Sequence, residues 1–232
     1  MIAQDPNIQK VERIAHALGG MRDKVVFVGG CSVGMLVTDS AAAPVRVTYD
    51  VDLISSVSAL MGYHRLERDF DKLGFKRDLS PDAPICRWRY QGIEVDLMPT
   101  DPEILGFANR WYPIVVTTAQ AVVLPSGLPI QLIAAPAFIA TKLEAYADRG
   151  HSNLLGSHDM EDIINVFDGR EELVHEIDQS TAELRNYLIE KISALIKLPH
   201  IEDSVLGMIF PDEHLGDRLM QTMQRLRCVA AL

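Results

Sequence analysis

The chain has few of the features that mark secreted, disulfide-stabilised or membrane-embedded proteins. Its three cysteines, Cys31, Cys86 and Cys228, have no metal-ligand spacing and leave one unpaired, which is typical of a reducing compartment. The first residues lack the basic and apolar segments of a signal peptide. No uncharged apolar run approaches the ~20 residues that a membrane-spanning helix needs. A cytoplasmic protein without a membrane partner is therefore expected.

Positive charge is also scarce. The 232 residues include 22 Lys and Arg against 32 Asp and Glu, which gives a formal net charge of -10. A surface of this sign does not attract nucleic acid broadly, so any nucleic-acid contact would need a local basic pocket. Apolar residues are plentiful instead, because 48% of the chain is hydrophobic and 23% charged, values typical of a globular protein that buries a core.

The order of the hydrophobic patterns predicts an α/β (α+β) protein. Strand-like segments dominate before residue 135, and helical spacing dominates after it. We expect an α/β core with a mixed sheet over residues 1–134 and a helical domain over residues 135–232 that closes a ligand cleft. The predicted elements of the first half are helices over 8–18, 32–37 and 60–73, strands over 24–28, 47–54, 85–90 and 92–98, and β-rich segments over 114–123 and 130–133.

A glycine pair and two aspartates carry the most information. Gly29 and Gly30 end an apolar run, and Asp50 and Asp52 alternate with aliphatic residues on a later predicted strand. Side chains at i and i+2 of a strand share a face, so the two carboxylates lie side by side. Two like charges this close are costly unless a cation neutralises them, and carboxylate oxygens suit Mg²⁺.

A second acidic strand strengthens the metal hypothesis. Glu94 and Asp96 alternate with aliphatic residues, a pattern that by itself also fits an edge strand with solvated acids. If the two acidic strands are neighbours in one sheet, Asp50, Asp52 and Asp96 converge on one or two metal ions. Two-metal sites of this kind clamp the attacking and leaving oxygens of phosphoryl transfer.

The glycine pair supplies the complementary part. Glycines let backbone N–H groups approach a phosphate, and a following helix N-terminus adds its positive dipole. Ser32 can add a hydroxyl donor to the same phosphate. A glycine pair alone is weak evidence, since most such pairs mark ordinary turns, but its order relative to Asp50 and Asp52 makes it stronger.

These residues in this order resemble the DNA polymerase β-like nucleotidyltransferase superfamily. Its signature is a glycine pair, a helix, an acid–aliphatic–acid pair and a third acid on a later strand. Residues 46–53 (RVTYDVDL) are similar to a block of its AbiEii-type branch, which contains toxins of abortive-infection (type IV) toxin–antitoxin systems. The resemblance implies a polymerase β-like nucleotidyltransferase core and two Mg²⁺ ions held by the triad Asp50, Asp52 and Asp96. It also implies an NTP whose phosphates contact Gly29, Gly30, Ser32 and Arg46.

The helical half offers a second match to that branch. Lys142 lies on one predicted helix, and Asp159 and Asp162 begin the next. The resemblance implies that Lys142 contacts a phosphate and that Asp159 or Asp162 is an active-site acid. His158 stands where the branch usually has a lysine, so the charge there depends on pH. The alternative is that Lys142 is a solvated helix residue and that the aspartates only favour the first turn of a helix.

Two basic features admit both a functional and a structural interpretation. Arg46 precedes the acidic strand and can grip a triphosphate with two hydrogen bonds, or it is an exposed loop arginine with no specific role. Residues 87–90 (RWRY) alternate basic and aromatic side chains, which can stack on a base. A strand with its aromatic residues packed inward explains residues 87–90 better.

The leading hypothesis is a Mg²⁺-dependent nucleotidyltransferase. It would transfer a nucleoside monophosphate from an NTP to an acceptor hydroxyl and release pyrophosphate, with Asp96 as the general base. The AbiEii-type resemblance implies a toxin-like enzyme with RNA (tRNA) or another cellular acceptor and an antitoxin partner. The charge of -10 fits a small-molecule acceptor, such as an antibiotic, better. A non-catalytic nucleotide- or partner-binding protein is the alternative from a different class.

Overall fold

The computed structural model describes residues 5–39, 42, 44–55, 57, 59–150 and 154–232. Its described residues form two compact units. The first, here the α/β unit, comprises Pro6–Ser32 and Arg46–Ala134. The second, here the helical unit, comprises Asp5, Val33–Val45 and Ala135–Leu232.

The α/β unit contains a mixed sheet and four α-helices among its described residues. The strands are β1 (Val25–Val28), β2 (Asp50–Ser55), β3 (Lys76–Arg77), β4 (Arg87–Tyr90), β5 (Ile93–Pro99), β6 (Gln120–Val123) and β7 (Pro129–Leu132). The helices are α1 (Ile8–Leu18), α3 (Leu60–Lys72), α4 (Pro102–Leu105) and α5 (Tyr112–Thr118), with 3₁₀ turns at Gly19–Lys24 and Gly30–Ser32.

The helical unit takes in one short helix from the first half of the chain and the helices that the structure describes after residue 134. They are α2 (Val33–Leu36), α6 (Ala135–Asp148), α7 (His158–Gly169), α8 (Leu173–Asp178), α9 (Ala182–Leu195), α10 (Ile201–Met208) and α11 (Leu215–Ala230). The prediction of an α/β protein with a mixed sheet followed by a helical half is therefore confirmed. Across the described residues, no helix combines the length and apolar character required to cross a lipid bilayer.

The sheet has the strand order β3-β4-β5-β2-β1-β7-β6. Strand β2 runs parallel to β5 and β1 runs parallel to β7, whereas the other neighbours are antiparallel. All four residues of β1 are buried, as expected for a central strand that is covered on both faces. In β2 and β5 the aliphatic residues are buried, and they alternate with the acidic residues, which lie on the opposite face.

Aromatic packing fixes the edge of the sheet that carries β3 and β4. Phe70 of α3 lies with its ring centroid 4.6 Å from that of Phe75 and 5.6 Å from that of Trp88. Tyr90 in turn lies 4.7 Å from Phe75. The aromatic residues of segment 87–90 therefore pack inward, which confirms the structural interpretation of that segment.

The predicted β-rich segment 114–123 is wrong over its first half. Tyr112–Thr118 is a helix, and only Gln120–Val123 is a strand. Pro113 in the first turn favours a helix start, and the hydroxyl of Thr118 donates to the carbonyl of Ile114 at 2.7 Å. The β-branched run suggested a strand, but tertiary context overrides propensity here: Val115 is fully buried while its neighbours are more exposed.

Candidate functional site

Strand register places Asp52 and Asp96 in one row across the sheet. Asp52 of β2 lies opposite Val28 at the end of β1 and, on its other side, opposite Asp96 of β5. Asp96 in turn lies opposite Arg87 of β4. The two acidic strands are thus direct neighbours, and the glycine turn that follows Val28 lies at the same level of the sheet.

The three aspartates converge closely enough to share a cation. One carboxylate oxygen from each of Asp50, Asp52 and Asp96 lies within 4.8 Å of the others. Asp50 and Asp52 are partly exposed and Asp96 is buried, so the cluster opens to solvent on the β2 side. The donor set is all carboxylate oxygen, which matches the ligand preference of Mg²⁺.

Gly29 closes the turn directly against this cluster. Its φ of 70° lies in the left-handed region. A Cβ at this position would also lie 1.8 Å from Oδ2 of Asp52. Only glycine therefore lets the chain turn here while the Asp52 carboxylate keeps its place, so the turn and the triad form one site.

The residues after Gly29 form a 3₁₀ turn over Gly30–Ser32, and Gly30 and Ser32 are both buried. The Ser32 hydroxyl donates to the carbonyl of Gly29 at 2.7 Å. A phosphate contact by Ser32 would have to replace this bond. The helix that follows has four residues, shorter than the predicted helix over 32–37, so little helix dipole is available at this turn.

Arg87 is the residue that sequence interpretation did not foresee at this site. Its Nε and Nη2 donate to Oδ1 and Oδ2 of Asp96, both at 2.8 Å, in a bidentate pair. Its Nη1 donates to Glu94 at 2.7 Å, and Nη2 lies 3.4 Å from Oδ2 of Asp50. The hydrogen bond to Asp96 is the largest cause that raises the pKa of Arg87.

A second row of the sheet repeats this arrangement, beginning at Asp50 of the triad. Asp50 lies opposite Glu94, which lies opposite Arg89. Arg89 donates to Glu94 at 2.8 Å and to Asp78 at 2.6 Å. Hydrogen bonds from Ser80, followed by the one from Arg89, lower the pKa of Asp78 to about 2. Arg87 and Arg89 are therefore neighbours on one face, but only Arg87 contacts the triad.

Buried neutral groups lie close to the triad. The hydroxyl of Tyr112 donates to Sδ of Met98 at 3.0 Å, and burial, followed by the charge of Asp52, raises the pKa of Tyr112. Burial, followed by the charge of Asp96, raises the pKa of Cys86 to about 12. Cys86 is thus a buried neutral thiol rather than a nucleophile.

Asn7 positions the segment that leads into β2. Its Nδ2 donates to the carbonyl of Arg46 at 2.9 Å, and its Oδ1 accepts from the backbone N–H of Thr48 at 2.9 Å. Asn7 is fully buried, and Lys10 donates to the carbonyl of Thr48. The backbone of Arg46 is therefore fixed beside the acidic strand, with its side chain half-buried. Sequence interpretation singled out Arg46 but not Asn7.

The helical unit contains the other predicted site residues as an ion-pair cluster. Nζ of Lys142 on α6 lies 3.2 Å from Asp159 and 2.7 Å from Asp162 of α7. Arg149 pairs with the second oxygen of Asp159. The Lys142 side chain is only 12% exposed, so it is not a solvated helix residue. His158 is exposed and faces Glu161 at 3.2 Å.

Comparisons with known proteins find similarity only among solved structures. No protein-family model and no curated protein matches the chain. A crystal structure of an antigenic nucleotidyltransferase-like protein from Paracoccidioides brasiliensis aligns over 90% of this chain and 96% of that chain, with 21% identity and a TM-score of 0.49. The antibiotic-resistance factor ANT(2'')-Ia aligns over 82% of this chain and 94% of that chain, with 16% identity and a TM-score of 0.47.

Proposed function

We propose that the protein is a Mg²⁺-dependent nucleotidyltransferase that transfers a nucleoside monophosphate from an NTP to an acceptor hydroxyl. One observation carries the proposal: Asp50, Asp52 and Asp96 meet within 4.8 Å on neighbouring strands. They do so against a left-handed glycine turn that leaves room for the Asp52 carboxylate. This combination is the one that the polymerase β-like signature in the sequence implies.

The residues present fit a divalent metal. Asp50 and Asp52 are the most accessible ligands, and Asp96 completes the set. When bound, Mg²⁺ would polarise the α-phosphate and favour the deprotonated form of the acceptor hydroxyl. The carboxylate of Asp96 is the proposed acceptor of that hydroxyl proton. The protein's own work is to position the two reactants and to hold negative charge at fixed places.

The proposed phosphate contacts involve the glycine turn, Arg46, Ser32 and Lys142, and the support differs between these residues. Backbone N–H groups of the Gly29–Gly30 turn lie beside the triad, which supports a phosphate contact there. Arg46 has its backbone fixed next to β2, which supports a side-chain contact. For Ser32 and Lys142, and for Asp159 or Asp162 as a further acid, the resemblance to the AbiEii-type branch is the main support.

We propose a small molecule as the acceptor. The formal charge of -10, together with the acids on the exposed face of β2 and β5, favours a neutral or cationic acceptor over a polyanion. A toxin-like enzyme with an RNA acceptor and an antitoxin partner is the alternative that the AbiEii-type resemblance favours. The labelling experiment below distinguishes an RNA acceptor from a small-molecule acceptor.

The test measures transfer of label from each α-labelled NTP to total RNA and to a panel of cationic small molecules such as aminoglycosides. Asp52→Asn, which keeps the shape of the side chain, is expected to lower transfer by at least about a hundredfold. Asp78→Asn is the matched control, because it removes a carboxylate held by Arg89 outside the triad. Undiminished transfer by Asp52→Asn, or Mg²⁺-dependent NTP binding without transfer to any acceptor, would contradict the proposal.

A further inference from the structure

We propose that Arg87 is an internal counter-ion that competes with the divalent metal for Asp96, and so sets how tightly the triad binds metal. The proposal rests on the proposed function of the triad as a metal centre. It concerns a residue that the polymerase β-like signature does not contain. The role is one of positioning and charge balance rather than of contact with the reacting atoms.

The geometry places Arg87 on the oxygens that a metal would use. Both carboxylate oxygens of Asp96 accept from Arg87 at 2.8 Å, and Oδ2 of Asp50 lies 3.4 Å from the same guanidinium. An oxygen that accepts a charge-assisted hydrogen bond from a guanidinium is a poorer donor to a metal. Each of these oxygens keeps a second lone pair that can coordinate a metal, so Arg87 and the metal would compete for the negative charge of the same carboxylate.

Charge makes the competition stronger. The side chains of Arg87 and Asp96 are only 18% and 10% exposed, so solvent screens their interaction weakly. The guanidinium already neutralises part of the negative charge that would attract a cation. A divalent ion within the triad would also lie close to this fixed positive charge and be repelled by it.

Glu94 is a second ion-pair partner for Arg87. Nη1 of Arg87 donates to Oε2 of Glu94 at 2.7 Å, and Glu94 shares the face of β5 with Asp96 but is not part of the triad. Arg87 can therefore release Asp96 and remain ion-paired. The exchange needs a side-chain movement only, because β4 and β5 remain paired through their backbones.

The experiment titrates the 232-residue chain with Mn²⁺ in the absence of nucleotide and follows free Mn²⁺ by electron paramagnetic resonance. Arg87→Gln is expected to bind Mn²⁺ about tenfold more tightly than the unmodified protein. Arg89→Gln is the matched control, since it removes the same charge from the same strand without touching the triad, and a change of less than about threefold is expected.

A second variant covers the case in which Arg87→Gln fails to fold. Arg87→Lys keeps the charge but cannot make the bidentate pair, and it is expected to bind Mn²⁺ more tightly than the unmodified protein but less tightly than Arg87→Gln would. Circular dichroism and thermal unfolding establish which variants are folded before the titration. Unchanged or weaker Mn²⁺ binding by the folded Arg87 variants would overturn the proposal.

Two other outcomes separate this inference from the proposed function. Equal tightening in the Arg87 and Arg89 variants would overturn the competition at Asp96, because overall charge would then explain both. Mn²⁺ binding that Asp52→Asn leaves intact, or no Mn²⁺ binding by any variant, would overturn the metal centre itself. Without a metal centre the proposed function fails together with the inference. With equal tightening in the Arg87 and Arg89 variants, only the inference fails and the proposed function stands.

Discussion

Gly29 shows how a single residue joins the turn to the acidic strand. We expect Gly29→Ala to lower the free energy of unfolding by about 2–4 kcal/mol, because the new Cβ meets the Asp52 carboxylate in a backbone conformation that L residues rarely adopt. Mn²⁺ binding should weaken at the same time, since Asp52 must move. Urea unfolding and Mn²⁺ titration measure the two effects.

Gly106 provides the matched control. It lies in the left-handed region, with φ of 80° and ψ of 1°, but a Cβ there would meet nothing within 4 Å. Gly106→Ala should therefore lower the free energy of unfolding by about 1 kcal/mol through backbone strain alone and leave Mn²⁺ binding unchanged. If the two variants lost equal stability and equal metal affinity, close packing of Gly29 on Asp52 would not be the reason for the glycine.

Helices α6 and α7 are joined by buried charge. Lys142→Met is expected to lower the free energy of unfolding by about 3–5 kcal/mol, because it leaves Asp162, whose side chain is 1% exposed, without that cation. Arg149→Gln, which alters a 71% exposed side chain on the same cluster, should change it by less than about 1 kcal/mol. Urea unfolding of both variants provides the comparison.

A stable, folded Lys142→Met protein would contradict this structural role. The result would also bear on the proposed phosphate contact. A variant that kept its stability but lost NTP binding would show that Lys142 acts on the nucleotide, while a loss of both would be explained by the helix pair alone. Thermal unfolding with and without NTP separates these outcomes.

At the level of elements, the local residue pattern predicted the acidic strands correctly, but it did not predict the helix and the strand pairing that depend on contacts distant in the chain. Alternation of acids and aliphatic residues in β2 and β5 predicted both strands, and with them the shared face of Asp50 and Asp52. The helix Tyr112–Thr118 was not predicted, because its β-branched residues favour a strand and only burial of Val115 indicates otherwise. The pairing of β2 with β5 could not be predicted from the sequence, because these strands are far apart in the chain and no short turn fixes their register.

Arg87 could nevertheless have been found. Gln91 and Gly92, which lie between β4 and β5, form a two-residue turn with φ of 48° and 83°, the geometry typical of tight hairpins. Counting outward from such a turn pairs Tyr90 with Ile93 and, three residues further, Arg87 with Asp96. The hairpin register therefore already pairs Arg87 with Asp96, whereas the basic–aromatic alternation of residues 87–90 gives no indication of that pair.

At the scale of the whole molecule, neither compact unit is a single continuous stretch of the chain. Val33–Val45 belongs to the helical unit although it lies between segments of the α/β unit. The backbone N–H groups of Thr38 and Asp39 both donate to the carbonyl of Gly169 at 2.9 Å. Arg170 donates to the carbonyl of Leu36 at 2.6 Å. The helical unit is therefore not a simple C-terminal segment.

This organisation makes the predicted domain boundary at residue 135 testable. A fragment of residues 135–232 lacks the 33–45 segment, whose Val33, Leu36 and Val37 are buried in the intact chain. We expect this fragment to unfold with weak cooperativity and to bind a hydrophobic dye, because the α7 surface that contacts α2 would be exposed. Far-UV circular dichroism during urea unfolding and dye fluorescence are the measurements.

The decisive comparison adds the missing segment back. A chain in which residues 33–45 precede residues 135–232 through a Gly/Ser linker should unfold cooperatively and be more stable than the bare fragment by about 3–5 kcal/mol, the contribution of two or three buried aliphatic side chains. A scrambled 33–45 sequence on the same linker controls for chain length and composition. If residues 135–232 alone unfolded as cooperatively as the linked chain, the boundary at 135 would define an independent domain. If only the linked chain folds, the 33–45 segment is part of the helical unit's core.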